Sequence, residues 1–188
     1  MANELKYGDA VSLENGYSNW SGGFLDVTAG AQPGAAYAVQ TASTAQRSGL
    51  SGTWKIASAS GKADGTTVTS GDLVHLVNQY GNKSYLDVNG GPGAGSTGEK
   101  YSVHTSQTPN RVGTSGEWFL VAETSSPQDG AIRVGDGVHI LSNYNNVSGG
   151  WLDISGGGAP GGNGLHTAFT SYYANRQSGS GAWRFAQA

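Results

Sequence analysis

The sequence contains the same pattern three times. A Gly-Asp pair that precedes alternating apolar residues ends at Asp9, Asp72 and Asp136, which lie 63 and then 64 residues apart. Each copy continues into a Leu-Asp-Val or Leu-Asp-Ile triplet, at 25–27, 86–88 and 152–154. A period of this length means that one structural unit is copied, and that the copies bury their apolar faces against one another. We therefore predict three repeats, at approximately 4–60, 66–124 and 131–188, within a single domain 1–188.

Further residues recur at matching positions in the three copies. A tyrosine lies eight residues after each Asp of the Gly-Asp pair: Tyr17, Tyr80 and Tyr144. An asparagine lies two residues further along: Asn19, Asn82 and Asn146. An arginine precedes a tryptophan by seven residues in each copy: Arg47 and Trp54, Arg111 and Trp118, Arg176 and Trp183. Between these landmarks we align 39–44 with 103–108 and 165–170, which share a central threonine.

The apolar residues alternate with a period of two, which is typical of β-strands and not of helices. Trp54 and Ile56 show this spacing, and we expect the tryptophan of each repeat to be buried. The same alternation places Asp26 on the face opposite Leu25 and Val27, so we expect its carboxylate to point outward. About four short strands per repeat give about twelve strands in an all-β fold.

The first and last strands are expected to pair and close a ring, because closure removes exposed sheet edges. Three such units around a pseudo-threefold axis describe a β-trefoil. A three-bladed propeller is the rival arrangement, but propellers usually have four to eight blades.

Composition excludes several classes of function. Charged residues make up 12% of the chain, the formal net charge is −3, and there is no run of Lys or Arg to follow a phosphate backbone, so nucleic acid is not an expected partner. The chain has no cysteine, which excludes disulfides and thiol chemistry. No apolar stretch suggests a signal peptide or membrane insertion. We expect a monomer or small homo-oligomer that is cytoplasmic or non-classically secreted.

The sequence gives no indication of catalysis or of a metal site. His75 aligns with His139 and His104 with His166, but no third ligand recurs beside either pair. No Gly-x-Ser-x-Gly elbow follows a strand and precedes a helix. The unusual residues are spread over three repeats, whereas an enzyme usually concentrates them in one place. We therefore predict a non-enzymatic protein without a cofactor.

The order Leu-Asp-Val, Gly-rich turn, Val-Gln-Thr and closing tryptophan resembles the repeat of ricin-B-type β-trefoil lectins. The resemblance covers all three repeats and implies a carbohydrate-binding fold. It implies that Asp26, Asp87 and Asp153 accept hydrogen bonds from sugar hydroxyls. The stacking aromatic of that family corresponds to small residues here (Ala42, Ser106 and Ala168), and Ser-Gly replaces its Asn-Gln before each tryptophan. The family's cysteines are replaced by an aromatic residue and a threonine in each repeat.

The recurring polar residues allow two interpretations. Each Asp with the Arg of its repeat (Arg47, Arg111 and Arg176) either grips vicinal hydroxyls or forms an ion pair that orders the loop. Each Asn opens an Asn-x-Ser triplet, which suits turn chemistry, ligand contact or glycosylation. The three tyrosines either stack on a sugar ring or pack beneath the loop.

These observations predict a lectin with up to three equivalent sites, whose partners are glycans or glycoconjugates and whose weak single-site binding is raised by multivalency. The alternatives are a β-trefoil protease inhibitor that acts through one protruding loop, at 89–100 or 155–164, and a targeting module of a toxin.

Overall fold

The structure is a computed structural model that describes residues 3–30, 33–92, 97–156 and 158–188. Within these ranges the chain forms twelve strands and two one-turn helices. The first repeat holds β1 (Ala10–Asn15), α1 (Tyr17–Trp20), β2 (Phe24–Thr28), β3 (Ala38–Ala42) and β4 (Trp54–Ser58). The second holds β5 (Leu73–Asn78), β6 (Ser84–Pro92), β7 (Glu99–Ser106) and β8 (Trp118–Ala122). The third holds β9 (Gly137–Ser142), α2 (Tyr144–Val147), β10 (Gly150–Ser155), β11 (Gly164–Ser171) and β12 (Trp183–Gln187).

Six strands form a closed antiparallel ring. Following the hydrogen-bonded neighbours around it gives β1, β12, β9, β8, β5, β4 and again β1. The first and last strands close this ring, with Leu13 opposite Phe185. The predicted pairing of the two ends of the chain is therefore confirmed.

The other six strands form three hairpins that cover one end of the ring. They are β2–β3, β6–β7 and β10–β11, and they meet through β3–β7, β7–β11 and β11–β3 contacts. A six-stranded ring closed by three hairpins fits the predicted β-trefoil. None of the helices in the described part of the chain is long and apolar enough to cross a membrane.

The core lies inside the ring, and the three recurring tryptophans are its largest side chains. Trp54, Trp118 and Trp183 are each 0% exposed, as predicted. Each indole N–H donates a hydrogen bond of 2.9 Å to the backbone oxygen of the leucine in the Leu-Asp triplet: Leu25, Leu86 and Leu152. Because a buried indole N–H needs an acceptor, this bond fixes each hairpin to the wall of the ring.

The third hairpin corrects the sequence alignment by three residues. Asp26 lies opposite Gln40, Asp87 opposite His104, and Asp153 opposite Phe169. Residues 168–171 therefore correspond to 39–42 and 103–106. The predicted alignment of 165–170 with 39–44 and 103–108 was wrong. Strand register is set by the backbone hydrogen bonds and by which face of the strand is buried. The alignment of 165–170 followed the similarity of Leu-His-Thr to Val-His-Thr, and it agrees with neither.

This correction changes three correspondences. The residue equivalent to His104 is Phe169 and not His166. The position that corresponds to Ala42 and Ser106 is Ser171 and not Ala168, and the one that corresponds to Thr44 and Thr108 is Tyr173.

Candidate functional site

The three recurring aspartates lie beneath loops and do not face solvent. Asp26, Asp87 and Asp153 are 0%, 1% and 0% exposed. The expectation that these carboxylates point outward was wrong, because the segment between the hairpin and the tryptophan folds over that face of the strand. The arginine and a serine from this segment reach each carboxylate. Whether the aspartates also contact a ligand stays a prediction.

The first repeat holds its carboxylate most tightly. Nε of Arg47 donates to Oδ1 of Asp26 at 2.8 Å, and the hydroxyl of Ser51 donates to Oδ2 at 2.6 Å. The terminal NH2 group of Arg47 also lies 2.8 Å from Oδ1 and donates to the Val27 backbone oxygen at 2.7 Å. Both carboxylate oxygens thus have a charged or hydroxyl donor, which is what a buried anion requires.

The second repeat has the same arrangement with longer distances. Nε of Arg111 donates to Oδ1 of Asp87 at 3.2 Å, and Ser115 donates to Oδ2 at 2.7 Å. The Arg111 NH2 group divides its donors between the Val88 backbone oxygen at 3.1 Å and Oδ1 of Asn89 at 3.3 Å.

The third repeat holds its carboxylate least well. The NH2 group of Arg176 lies 3.6 Å from Oδ1 of Asp153, and Ser180 donates to Oδ2 at 3.2 Å. Oδ1 of Asp153 and Nε of Arg176 are both buried without a hydrogen-bond partner in the described residues. Burial raises the pKa of Asp153 above its ordinary value, and the Arg176 charge offsets only part of this effect.

The serines of these three clusters were missed in the sequence. Ser51, Ser115 and Ser180 are the serines of the Ser-Gly pairs before each tryptophan, where they were interpreted only as a departure from the lectin pattern. A serine lies three residues before each buried tryptophan and recurs together with the Asp and the Arg. This recurrence was the signal that could have identified the serines.

The three predicted tyrosines lie at the contacts between repeats. Each ring meets the edge of an aromatic ring from another repeat at centroid distances of 5.5–5.7 Å: Tyr17 with His166, Tyr80 with Tyr37, and Tyr144 with Tyr101. Tyr80 is 37% exposed, and Tyr17 and Tyr144 are half-buried. The structure thus brings each tyrosine to a seam with part of its ring still open to solvent.

Buried polar side chains just before these tyrosines hold the backbone turn. Oδ1 of Asn15 accepts the Tyr17 N–H at 2.9 Å, and Oδ1 of Asn78 accepts the Tyr80 N–H at 3.0 Å. Oγ of Ser142 takes this role for Tyr144 at 3.2 Å. These residues are not the asparagines that were predicted as site residues.

Asn19, Asn82 and Asn146 are exposed on the turns that follow these tyrosines. Asn19 and Asn146 adopt φ of 61° and 56°, a left-handed conformation that asparagine tolerates better than most residues. This geometry agrees with turn chemistry for those two. Ligand contact or glycosylation by the three asparagines stays a prediction.

An open cleft in the third repeat contains two exposed aromatic rings. Tyr172 and Tyr173, directly after β11, are each 62% exposed. They line a cavity of about 610 Å³ together with Gly98 and, on the following loop, Asn175, Arg176 and Gln177. Sequence analysis missed this pair because the alignment ended at 170.

The cleft joins the third repeat to the start of β7. The Tyr172 N–H donates to the Gly98 backbone oxygen at 3.1 Å. Gly98 has φ of 92°, and a Cβ there would lie 2.9 Å from Cδ of Arg176, so only glycine lets the backbone come this close without strain. Nζ of Lys100 lies 4.9 Å from the centroid of the Tyr172 ring, within cation–π range.

The equivalent positions in the other two repeats have no aromatic ring. Ser43 and Thr44 occupy them in the first repeat, and Gln107 and Thr108 in the second. All four are exposed. The three loops therefore share an Asp–Arg–Ser cluster around a buried carboxylate but differ in what they present to solvent.

Two histidines proposed as equivalents are confirmed as such by their contacts. Nδ1 of His75 lies 2.8 Å from the Gly116 backbone oxygen, and Nδ1 of His139 lies 2.8 Å from that of Gly181. In the described ranges no three His, Cys, Asp or Glu side chains cluster closely enough to hold a metal ion. The loops proposed for an inhibitor, 89–100 and 155–164, include residues 93–96 and 157, which lie outside the described residues.

Comparisons with known proteins show a shared fold. No protein-family model matches the chain, and no curated protein matches it. The SDF2-like protein from Arabidopsis thaliana is 14% identical with a TM-score of 0.70, over 97% of this chain and 94% of that one.

Two further solved structures are longer than this chain. The S. cerevisiae protein O-mannosyltransferase Pmt1-Pmt2 complex bound to the sugar donor is 14% identical with a TM-score of 0.74, over 99% of this chain and 25% of that one. The binding domain of botulinum neurotoxin serotype D is 14% identical with a TM-score of 0.64, over 97% of this chain and 42% of that one. These likenesses support an all-β, trefoil-like fold and establish no shared activity.

Proposed function

We propose that this chain is a non-enzymatic carbohydrate-binding protein, and that the Tyr172–Tyr173 cleft is its principal site. The observation that carries the proposal is the pair of exposed tyrosine rings beside amide and guanidinium side chains in an open cleft. Apolar C–H faces of a sugar ring pack on aromatic faces, while its hydroxyls need directed donors and acceptors. The cleft supplies both kinds of contact.

Each side chain of the cleft has a role in this proposal. Tyr172 and Tyr173 provide the stacking surface, and the phenol groups provide hydrogen bonds at its rim. Oδ1 of Asn175 accepts the Gly179 N–H at 2.9 Å, which leaves its NH2 group to donate to a hydroxyl. Gln177 is exposed and can donate and accept. Arg176 holds the loop in place through the Ile154 backbone oxygen at 2.9 Å.

The recurring Asp–Arg–Ser clusters form the scaffold under these loops in our proposal. Their carboxylates are buried and face donors from their own repeat, so a hydroxyl would have to displace an existing bond at Asp26. This favours the loop-ordering interpretation over the ligand interpretation.

We also propose that the three repeats are related by a pseudo-threefold axis. Up to three equivalent sites remain a prediction for the first two repeats.

The function is tested with a glycan array and then with titration of the best glycan. We expect the double variant Tyr172→Ala/Tyr173→Ala to weaken binding at least tenfold, since losing about 1.4 kcal/mol of contact energy is tenfold in Kd. Its thermal midpoint should stay close to that of the wild type, because both rings are exposed.

The matched control is Ser43→Ala/Thr44→Ala, at the equivalent positions of the first repeat. This variant should bind as the wild type does. Unchanged binding by the tyrosine variant, or an equal loss in the control, would place the site elsewhere. An array with no bound glycan would remove the carbohydrate proposal itself.

A further inference from the structure

A second cavity lies where the three hairpins meet. It has a volume of about 350 Å³, at the lower end of the range for small-molecule pockets. Three contacts between hairpins surround it: Ala38 opposite His104, Phe169 opposite Ser102, and Thr167 opposite Gln40. This position is distinct from the Tyr172–Tyr173 cleft, which opens beside the loop after β11.

The wall of this cavity is apolar on one side. Val39, Val103 and Ala168 occupy equivalent positions in the three hairpins, and each is at most 2% exposed. Phe169 adds an aromatic ring. This surface accepts a compact hydrocarbon group.

The other side of the cavity carries a carboxylate whose charge is not compensated. The side chain of Glu99 forms no hydrogen bond or ion pair with any of the described residues, and its Oε2 atom is buried. The fold does not require an acid here. Glu99 lies six residues before Thr105, and the same spacing before Thr41 and Thr170 gives Ala35 and Gly164. A half-buried carboxylate without a partner is costly, so a cation that pairs with it stabilises the site.

A histidine on the wall of the same cavity supplies a second polar group. Nδ1 of His104 is buried and has no hydrogen-bond partner in the described part of the chain. Burial, and then the Arg111 charge, lower the pKa of His104 below its ordinary value, so the imidazole is neutral at pH 7. A neutral imidazole has one ring nitrogen that accepts a hydrogen bond. The positions equivalent to His104 hold Gln40 and Phe169, so the cavity is asymmetric and can fix one orientation of a ligand.

We propose that this cavity binds a small organic primary ammonium ion with a compact apolar body. The ammonium group pairs with Glu99, and the hydrocarbon group packs on Val39, Val103 and Ala168. A ligand that brings no cation leaves Glu99 uncompensated, and one that brings a carboxylate repels it. The proposal is independent of carbohydrate binding at the Tyr172–Tyr173 cleft.

The test uses three probes of nearly equal shape: cyclohexylmethylamine, cyclohexylmethanol and cyclohexanecarboxylate. Binding is measured at pH 7 by calorimetry, and the site is located by methyl chemical shifts in the full chain. We expect the amine to bind at least tenfold more tightly than the alcohol, with the carboxylate weakest, and to shift the methyl signals of Val39, Val103 and Ala168. Equal binding of amine and alcohol, or shifts that cluster elsewhere, would overturn the proposal.

Glu99→Gln removes the charge while keeping the size of the side chain. It should abolish the preference for the amine and leave alcohol binding unchanged. Glu123→Gln is the matched control, because Glu123 is a half-exposed acid that pairs with His139 at 2.8 Å and does not line this cavity. If Glu99→Gln keeps the amine preference, the carboxylate is not the partner.

A second variant covers the case in which Glu99→Gln alters folding. Ser102→Leu adds bulk at the wall of the cavity and should weaken all three probes together. The Tyr172→Ala/Tyr173→Ala variant should still bind the amine, which separates this site from the proposed glycan site. Loss of amine binding in the tyrosine variant would instead assign the probe to the cleft.

Discussion

The loops of the first and third repeats contain the same three polar residues but hold them differently. Asp26 receives bonds of 2.8 and 2.6 Å from Arg47 and Ser51. The corresponding distances at Asp153 are 3.6 and 3.2 Å. One carboxylate has donors on both oxygens, and the other has an oxygen with none in the described residues.

The residue opposite each aspartate explains part of this difference. Asp26 lies across the hairpin from Gln40, a polar side chain, whereas Asp153 lies across from Phe169. The guanidinium of Arg176 packs 5.2 Å from the centroid of the Phe169 ring. A phenyl ring supplies no hydrogen bonds to an anion and lowers the local polarity, so the charged form of Asp153 is disfavoured. An Asp–Arg–Ser triad that recurs within one chain can therefore differ between repeats in how fully its charges are compensated.

The largest expected effect tests what the two repeats share. Trp54→Ala and Trp183→Ala should each lower the free energy of unfolding by about 3–5 kcal/mol, since each removes a fully buried indole and its hydrogen bond to a leucine backbone. Chemical denaturation of the two variants measures this. A large loss for one tryptophan and a small loss for the other would show that the two tryptophans do not have equivalent places in the core.

An intermediate effect tests how the two aspartates differ. Asp26→Asn should lower the free energy of unfolding by about 1–3 kcal/mol, because it weakens a well-formed pair with Arg47 and leaves donors unsatisfied. Asp153→Asn should cost less than about 1 kcal/mol, since a neutral amide suits the less polar site better. The two substitutions are isosteric and serve as controls for each other. Equal losses would contradict the difference described above.

The smallest expected effect is the pH dependence of the stability that Asp153 contributes. The folded-state pKa of Asp153 is raised, so the native protein binds a proton more tightly than the unfolded chain does. This contribution to stability is fully present below the unfolded pKa of about 3.9 and is lost as pH rises through the folded pKa. The wild type should therefore gain stability relative to Asp153→Asn as pH falls from 7 toward 4.

Thermal unfolding of the two proteins across that pH range measures this gain. A stability difference that is flat with pH would show that the carboxyl of Asp153 titrates as in the unfolded chain.

Sequence periodicity predicted the strands well because each depends on local alternation. The buried tryptophans and the pairing of β1 with β12 follow from apolar spacing and from the need to close the sheet. The burial of Asp26 could not be predicted in this way. Alternation assigns it to the face away from the core, but a loop about twenty residues later in the chain covers that face.

The candidate site was predicted less well for a related reason. Tyr172 and Tyr173 fall at the end of the third hairpin, and their place in the repeat depends on the register between β10 and β11. That register is fixed by the opposition of Asp153 and Phe169. The constant spacing of six residues between Thr41, Thr105 or Thr170 and the next arginine would have given the correct alignment.

The pairing of β1 with β12 also has a consequence for how the chain reaches this structure. Leu13 finds its partner only when Phe185 is present, so the loop that this contact closes contains almost the whole chain. Non-local contacts of this kind raise the contact order and slow folding. During synthesis, the edge of β1 stays without its neighbour until β12 has left the ribosome. The charged residues Glu14 and Arg184, which pair at 2.6 Å across these two strands, then meet for the first time as the ring closes.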